Sequence, residues 1–287
     1  MDVGFLLVQA LNGLSFGALL FLVASGFTLI FGLLRIVNLA HGAFYLLGAY
    51  VGLATMTVTG NFLLGILAGA LTVSVLGLGL QRTLLKRVRG QELREVLLTI
   101  GITFVIADLC LAAFGGDPKS IDTPSALSGA LQIGAVSYPR YRLFVVLIAA
   151  LVAVGFYFVQ RHTKIGAIVR AGVDDRETAA AMGINIDRVF TGMFAFGAAL
   201  AGLAGVVGAG LLTVLPGVDV EILLFALVVV IIGGLGSVKG AAVASVLIGL
   251  IDAFSKAWIP EFSYFTIFVP MALVLVFRPA GLFGRTA

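Results

Sequence analysis

Residues 4–34 read GFLLVQALNGLSFGALLFLVASGFTLIFGLL, a run without one charged side chain. A helix needs about 20 apolar residues to cross the hydrocarbon core of a bilayer, so this stretch is longer than one crossing and predicts a tilted or projecting span. In lipid only helices and closed barrels satisfy every backbone group. The run is continuous, not alternating, which excludes a barrel strand. Similar runs follow at about 37–59, 62–80, 96–115, 141–160, 189–214, 221–235, 240–257 and 263–278. The seventh is short and ends in Gly233-Gly234-Leu235-Gly236-Ser237, the pattern of a partial crossing. The fold class is therefore all-α and integral to the membrane, a polytopic bundle of about 8–9 transmembrane helices forming one domain over 1–287.

Composition agrees. Hydrophobic residues make up 61% of the 287 and charged residues 11%, against about a quarter charged in soluble domains. The net charge of +4 comes from loops and does not point to nucleic acid. Residues 81–95 carry Arg82, Lys86, Arg87, Arg89 and Arg94, and residues 161–188 carry Arg161, Lys164, Arg170, Arg176 and Arg188. In 116–140 the charges of Asp117, Lys119, Asp122 and Arg140 nearly cancel. Basic loops stay cytoplasmic, which puts 81–95 and 161–188 inside, 116–140 outside, the N-terminus outside and Arg278 inside. The lone Cys110 permits no intrachain disulfide, and two histidines, His41 and His162, suggest no metal site.

The second basic loop contains Asp174-Asp175-Arg176-Glu177-Thr178-Ala179-Ala180-Ala181-Met182-Gly183. An aspartate can cap a helix start, the following residues favour helix, and Gly183 is a natural stop. This predicts a short helix standing clear of the membrane, its small-residue surface suited either to a groove on a partner or to plain solvation. Inside the spans, polar residues are costly and mark cavities or the bundle interior. Near the start of the chain these are Asn12, Ser15, Ser25, Thr28, Asn38, His41 and Tyr45. Asn38 and His41, three apart, are expected on one helix face, with Gly42 a point where the helix breaks and frees backbone groups for a solute. Packing alone is the competing role for His41. Thr103 and Asp108 follow on the fourth span. Asp108 is expected as its deepest buried charge, meeting either a substrate ammonium or a neighbouring helix. Asp219 and Glu221 are expected against solvent or a docked protein. A stripe of Gly197, Ala201, Gly205 and Ala209 reads as tight packing within the bundle or a seam between subunits.

The stretch Glu177-Thr178-Ala179-Ala180-Ala181-Met182-Gly183 resembles the coupling motif of ABC importer permeases. Asn12-Gly13-Leu14-Ser15, Gly26-Phe27-Thr28-Leu29-Ile30-Phe31-Gly32, Ile36-Val37-Asn38-Leu39-Ala40-His41-Gly42-Ala43-Phe44 and Leu47-Gly48-Ala49-Tyr50 resemble the N-terminal signature of LivH-like branched-chain amino acid permeases. Gly233–Ala241 and Arg278–Gly284 are similar to two further motifs of that family. The resemblance implies a bacterial inner-membrane translocation subunit of an ATP-driven importer for branched-chain or related small amino acids. It implies a second permease subunit, identical or homologous, two ATPase subunits and a periplasmic or extracellular solute-binding protein as partners. Asp174, Asp175, Arg176, Glu177, Ala180, Ala181 and Gly183 would couple to the ATPases, and Asn12, Ser15, Asn38, His41, Tyr45, Thr103 and Asp108 are the candidate substrate path. The chain lacks a G-x-x-x-x-G-K-[ST] loop, so ATP and Mg belong to partner subunits and no cofactor or enzymatic activity is expected of this chain. An ion-gradient-driven transporter or channel is the rival reading.

Overall fold

The computed structural model describes residues 3–34, 38–134, 136–174 and 176–284. Its elements in chain order are α1 (Val3–Leu34), α2 (His41–Thr59), α3 (Phe62–Leu80) running through a π-helical turn (Gln81–Leu85) into α4 (Lys86–Val88), and α5 (Glu92–Phe114). A two-stranded antiparallel hairpin follows, β1 (Ala130–Ile133) with β2 (Val136–Pro139). Then come α6 (Arg140–His162), α7 (Lys164–Asp174), α8 (Arg176–Ala181), α9 (Ile186–Gly208), α10 (Val218–Gly233), α11 (Val238–Trp258) and α12 (Ser263–Phe277). Eight of the described helices are long and apolar enough to cross a membrane. α10, with 16 residues, is about 24 Å long, shorter than a hydrocarbon core of about 30 Å; it is the partial crossing expected of the seventh run.

Hydrophobicity alone does not separate inner from outer helices, because lipid tails are as apolar as leucine. Side-chain size does. α1 is the central helix, 83% buried along its most apolar window, whereas α12 is 11% buried. On α3, Leu63, Leu67, Leu71 and Val75, spaced every four residues, form an exposed row. Soluble proteins rarely expose so continuous an apolar surface, and this row is suited to lipid. At the centre glycines bring backbones together. A Cβ at Gly26 of α1 would lie 2.5 Å from the carbonyl oxygen of Gly197 on α9, and one at Gly202 of α9 would lie 2.7 Å from that of Gly69 on α3. The stripe on α9 therefore faces helices of its own chain, with Gly197 against α1 and Gly205 against Tyr45 and Ala49 of α2.

The loops sort onto two faces. Asp187, at the start of α9, pairs with Arg89 at 3.0 Å and Lys86 at 3.1 Å, so the two basic loops meet. At the opposite face the backbones of Lys119 and Val214 exchange hydrogen bonds of 2.8 and 2.7 Å, tying 116–140 to the segment after α9. α1 runs antiparallel to α9, as Gly26 meets Gly197 while Leu19 lies by Gly208. Its start thus lies at the hairpin face and its end at the basic face. The terminal segment joins that basic face: Leu282 N–H and Phe283 N–H donate to the carbonyls of Ile232 and Gly233, and Gly236 abuts Gly32. The first and last described segments of the chain thus lie at opposed faces of the bundle.

Candidate functional site

α2 does not begin at the membrane surface. Its first residue, His41, is fully buried, and its Nε2 lies 3.0 Å from the carbonyl oxygen of Val23, deep in α1. A carbonyl can only accept, so Nε2 carries the proton there. Leu39 accepts a 3.2 Å bond from the Thr103 hydroxyl, and Thr103 sits halfway along α5. Residues 38–40 are thus irregular backbone at mid-depth, enclosed by α1 and α5. Non-helical backbone is tolerated there only when protein or a wet cavity surrounds it. The break expected at Gly42 lies three residues earlier. Asn38 consequently does not share a helix face with His41; it precedes the helix, and its carbonyl accepts from His41 N–H at 3.2 Å. Ile36 and Val37 of the family-like signature lie outside the described residues.

Polar atoms around this break have no partner among the described residues. Both amide atoms of Asn38, the Nδ1 of His41 and the hydroxyl of Thr28 are buried without one. Such atoms are rare in folded proteins. Aromatic edges close the His41 ring, with Phe27 at 5.5 Å and Phe44 at 6.4 Å between centroids. Tyr45 is buried a turn further along, packed under Gly205 and Gly208 of α9. His41→Ala would remove the buried hydrogen bond to the Val23 carbonyl, a loss of about 0.5–1.5 kcal/mol. The expected result is impaired transport with an assembled chain; collapse of the yield in detergent would make the histidine structural.

Asn12 and Ser15 lie elsewhere, at the hairpin face. The Asn12 side-chain oxygen accepts from Arg142 Nη1 at 2.6 Å and from the Tyr138 hydroxyl at 3.3 Å, and that hydroxyl lies 3.0 Å from Ser15 Oγ. This cluster ties α1 to β2 and α6. Arg142 and Tyr138 went unrecognised in the sequence because nothing local pairs them with residues some 126–130 positions away.

Asp108 corrects an expectation. It is exposed on the outer surface of α5, beside Phe104, Val105 and Leu109, each more than half exposed. Thr99 and Thr103 take the inward face and Asp108 turns away from them, since five residues beyond Thr103 is a rotation to the far side of the helix. Asp219, expected near solvent, is buried, whereas Glu221 is exposed. Asp252 is buried and accepts from Lys256 at 2.8 Å within α11.

The second basic loop holds two helices, α7 and α8, where one was expected. α8 ends as its sequence requires. Gly183 N–H donates to the Ala180 carbonyl at 3.0 Å and Ile184 N–H to that of Ala179 at 3.2 Å, the paired bonds of a Schellman stop. Gly183 has φ +85°, a conformation that costs a residue with a Cβ about 1–2 kcal/mol. Ala179 is buried beneath the turn, while Ala180, Ala181 and Gly183 are exposed, with Met182 79% exposed at the tip. Asp175 lies outside the described residues, as do the side chains of Asp174, Arg176 and Glu177. A small-residue surface with one protruding thioether can seat in a partner's groove.

Residues 9–276 match the family model described as "Branched-chain amino acid transport system / permease component". The chain is 27% identical over 300 residues to the high-affinity branched-chain amino acid transport system permease protein LivH of Salmonella typhimurium (strain LT2), covering 98% of this chain and 96% of that protein. It is 28% identical over 298 residues to the corresponding permease protein BraD of Pseudomonas aeruginosa (strain PAO1), covering 97% and 96%. It is 22% identical over 290 residues to a probable LivH of Methanocaldococcus jannaschii, covering 93% and 89%. No solved structure matches the chain. With eight apolar spans, a mid-depth break at the start of α2 and a family match covering nearly its whole length, the chain belongs to the permease component family of branched-chain amino acid transport systems.

Proposed function

We propose that this chain is the translocation subunit of an ATP-driven importer for branched-chain or related small amino acids in the bacterial inner membrane. The observation that carries this reading is the family match over residues 9–276, joined to a chain that has no phosphate-binding loop of its own. Energy then comes from two ATPase subunits bound at the basic face, where the tip of α8 receives their motion. A solute-binding protein delivers the amino acid at the hairpin face. The solute passes beside residues 38–41, where the buried polar atoms without partners supply donors and acceptors for its charged ends. Aliphatic selectivity is delegated to the binding protein, so the path needs only a weakly apolar lining.

The second permease is placed on the α5 surface that carries Asp108. A lone carboxylate facing hydrocarbon costs several kcal/mol, and no side chain among the described residues pairs with it. Burial against a homologous or identical subunit, or in a wet passage between the two, removes that cost. Asp108→Leu is expected to lower ATP-driven uptake by about tenfold or more, in line with an interaction of at least about 1.4 kcal/mol. Uptake equal to wild type would place this face in lipid.

The whole reading is tested in proteoliposomes containing the permease, its ATPases and the binding protein. Uptake of labelled leucine is expected only with ATP inside. Uptake driven by an ion gradient without the ATPases would make the chain a secondary transporter.

A further inference from the structure

The hairpin face holds a cavity of about 220 Å³ lined by Thr123, Leu127, Pro139, Tyr141, Arg142 and Leu211. It is smaller than the roughly 300–1,000 Å³ typical of drug-sized sites and suits one small molecule. Leu127, Pro139 and Leu211 give it apolar walls. Tyr141 is held in place, its hydroxyl donating to the Val207 carbonyl at 2.7 Å. Gly210, also lining the cavity, has no room for a side chain, since a Cβ there would come within 2.5 Å of that hydroxyl.

Arg142 is the cation of the cavity. Its guanidinium has five N–H donors, and one nitrogen, Nη1, donates to Asn12 at 2.6 Å. No carboxylate among the described residues lies within ion-pairing distance of it. Asn12 is itself steadied by the Tyr138 hydroxyl and, through it, by Ser15. The side chain is therefore oriented by neutral groups, with no carboxylate among the described residues to compensate its charge at the edge of the cavity. A planar fork held in this way matches a carboxylate with two parallel hydrogen bonds.

We propose that this cavity is a reception site for a small aliphatic amino acid, with Arg142 holding the carboxylate and Leu127, Pro139 and Leu211 the side chain. Asn12 and Ser15 act as positioning residues for Arg142. The proposal rests on the importer reading for its solute, and it assigns a binding step that precedes passage through the bundle.

The test uses the intact permease–ATPase complex in nanodiscs without the binding protein, titrated with labelled leucine. Weak saturable binding is expected, competed by 4-methylpentanoate, which keeps the carboxylate, and not by leucinamide, which lacks it. Arg142→Gln is expected to weaken binding by roughly tenfold or more, and Arg142→Lys to recover part of the loss, in complexes of unchanged yield and size. Absence of leucine binding to the wild-type complex, competition by leucinamide, or unchanged binding in Arg142→Gln would overturn the proposal. So would loss of binding-protein docking in that variant with leucine binding intact, since Arg142 would then serve an acidic side chain of that protein. ATP-driven uptake by the wild-type complex, measured in parallel, separates failure of this site from failure of the importer reading.

Discussion

Gly202→Leu is expected to remove the folded chain from the membrane almost entirely. Gly202 stands on α9 where three helices touch. A Cβ there would lie 2.7 Å from the Gly69 carbonyl oxygen of α3 and 3.0 Å from Val73, while Gly48 of α2 presses on the Gly202 backbone from another side. The nearest obstacle, the Gly69 carbonyl oxygen, is a backbone atom, which cannot swing away as a flexible side chain can. Overpacking costs about 1–3 kcal/mol even where side chains give way; here helices must separate, and the lost contacts add to that. Against a net stability of about 5–15 kcal/mol, assembly should fail. The measurement is the yield of monodisperse protein after mild solubilisation, with Gly155→Leu as control. Gly155 on α6 is exposed, with nothing within 4 Å of a Cβ, so its replacement should stay within about 0.5 kcal/mol. Equal yields from the two variants would mean that α2, α3 and α9 are not packed as described.

Gly183→Arg is expected to leave insertion and yield intact while ATP-driven uptake falls by more than about tenfold. The residue sits at φ +85°, where a side chain costs about 1–2 kcal/mol, comparable to the 1.4 kcal/mol that makes a tenfold change. Nothing lies within 4 Å of a Cβ there, so the substitution strains the turn without a clash in the bundle. Relief of that strain opens the hydrogen bonds from Gly183 to Ala180 and from Ile184 to Ala179 and turns the tip of α8. The added cation also sits on the surface proposed to meet the ATPase. Uptake and ATP hydrolysis should be measured in the same vesicles, where continued hydrolysis with little uptake is the signature of uncoupling. Glu177→Ala is expected to act in the same direction. Full uptake from both variants would remove the coupling role from α8.

Several features were legible without coordinates because each is set by local composition. The length of an apolar run decides whether it spans, and the clustering of Arg and Lys decides which loops share a side; Asp187 pairing with both Arg89 and Lys86 joins the two loops already matched by their charge. The stop at Gly183 was readable because a glycine after a run of helix formers is a local signal. The orientation of Asp108 was misjudged because apolar surroundings in a sequence look alike whether they are protein core or lipid. The pairing of Asn38 with His41 on one face assumed a continuous helix, and the tertiary enclosure of residues 38–40 overrode that.

Membrane residence, the number of apolar spans, the relative sides of the loops and the family were determined along the chain, because burial in lipid requires continuous hydrophobicity and excludes charge wherever it occurs. Tertiary structure decided which helices are central, where α2 starts, and that Arg142 meets Asn12 across some 130 residues. Those outcomes depend on where glycines let backbones touch and on which polar groups find one another in space, and neither follows from the order of residues in one segment.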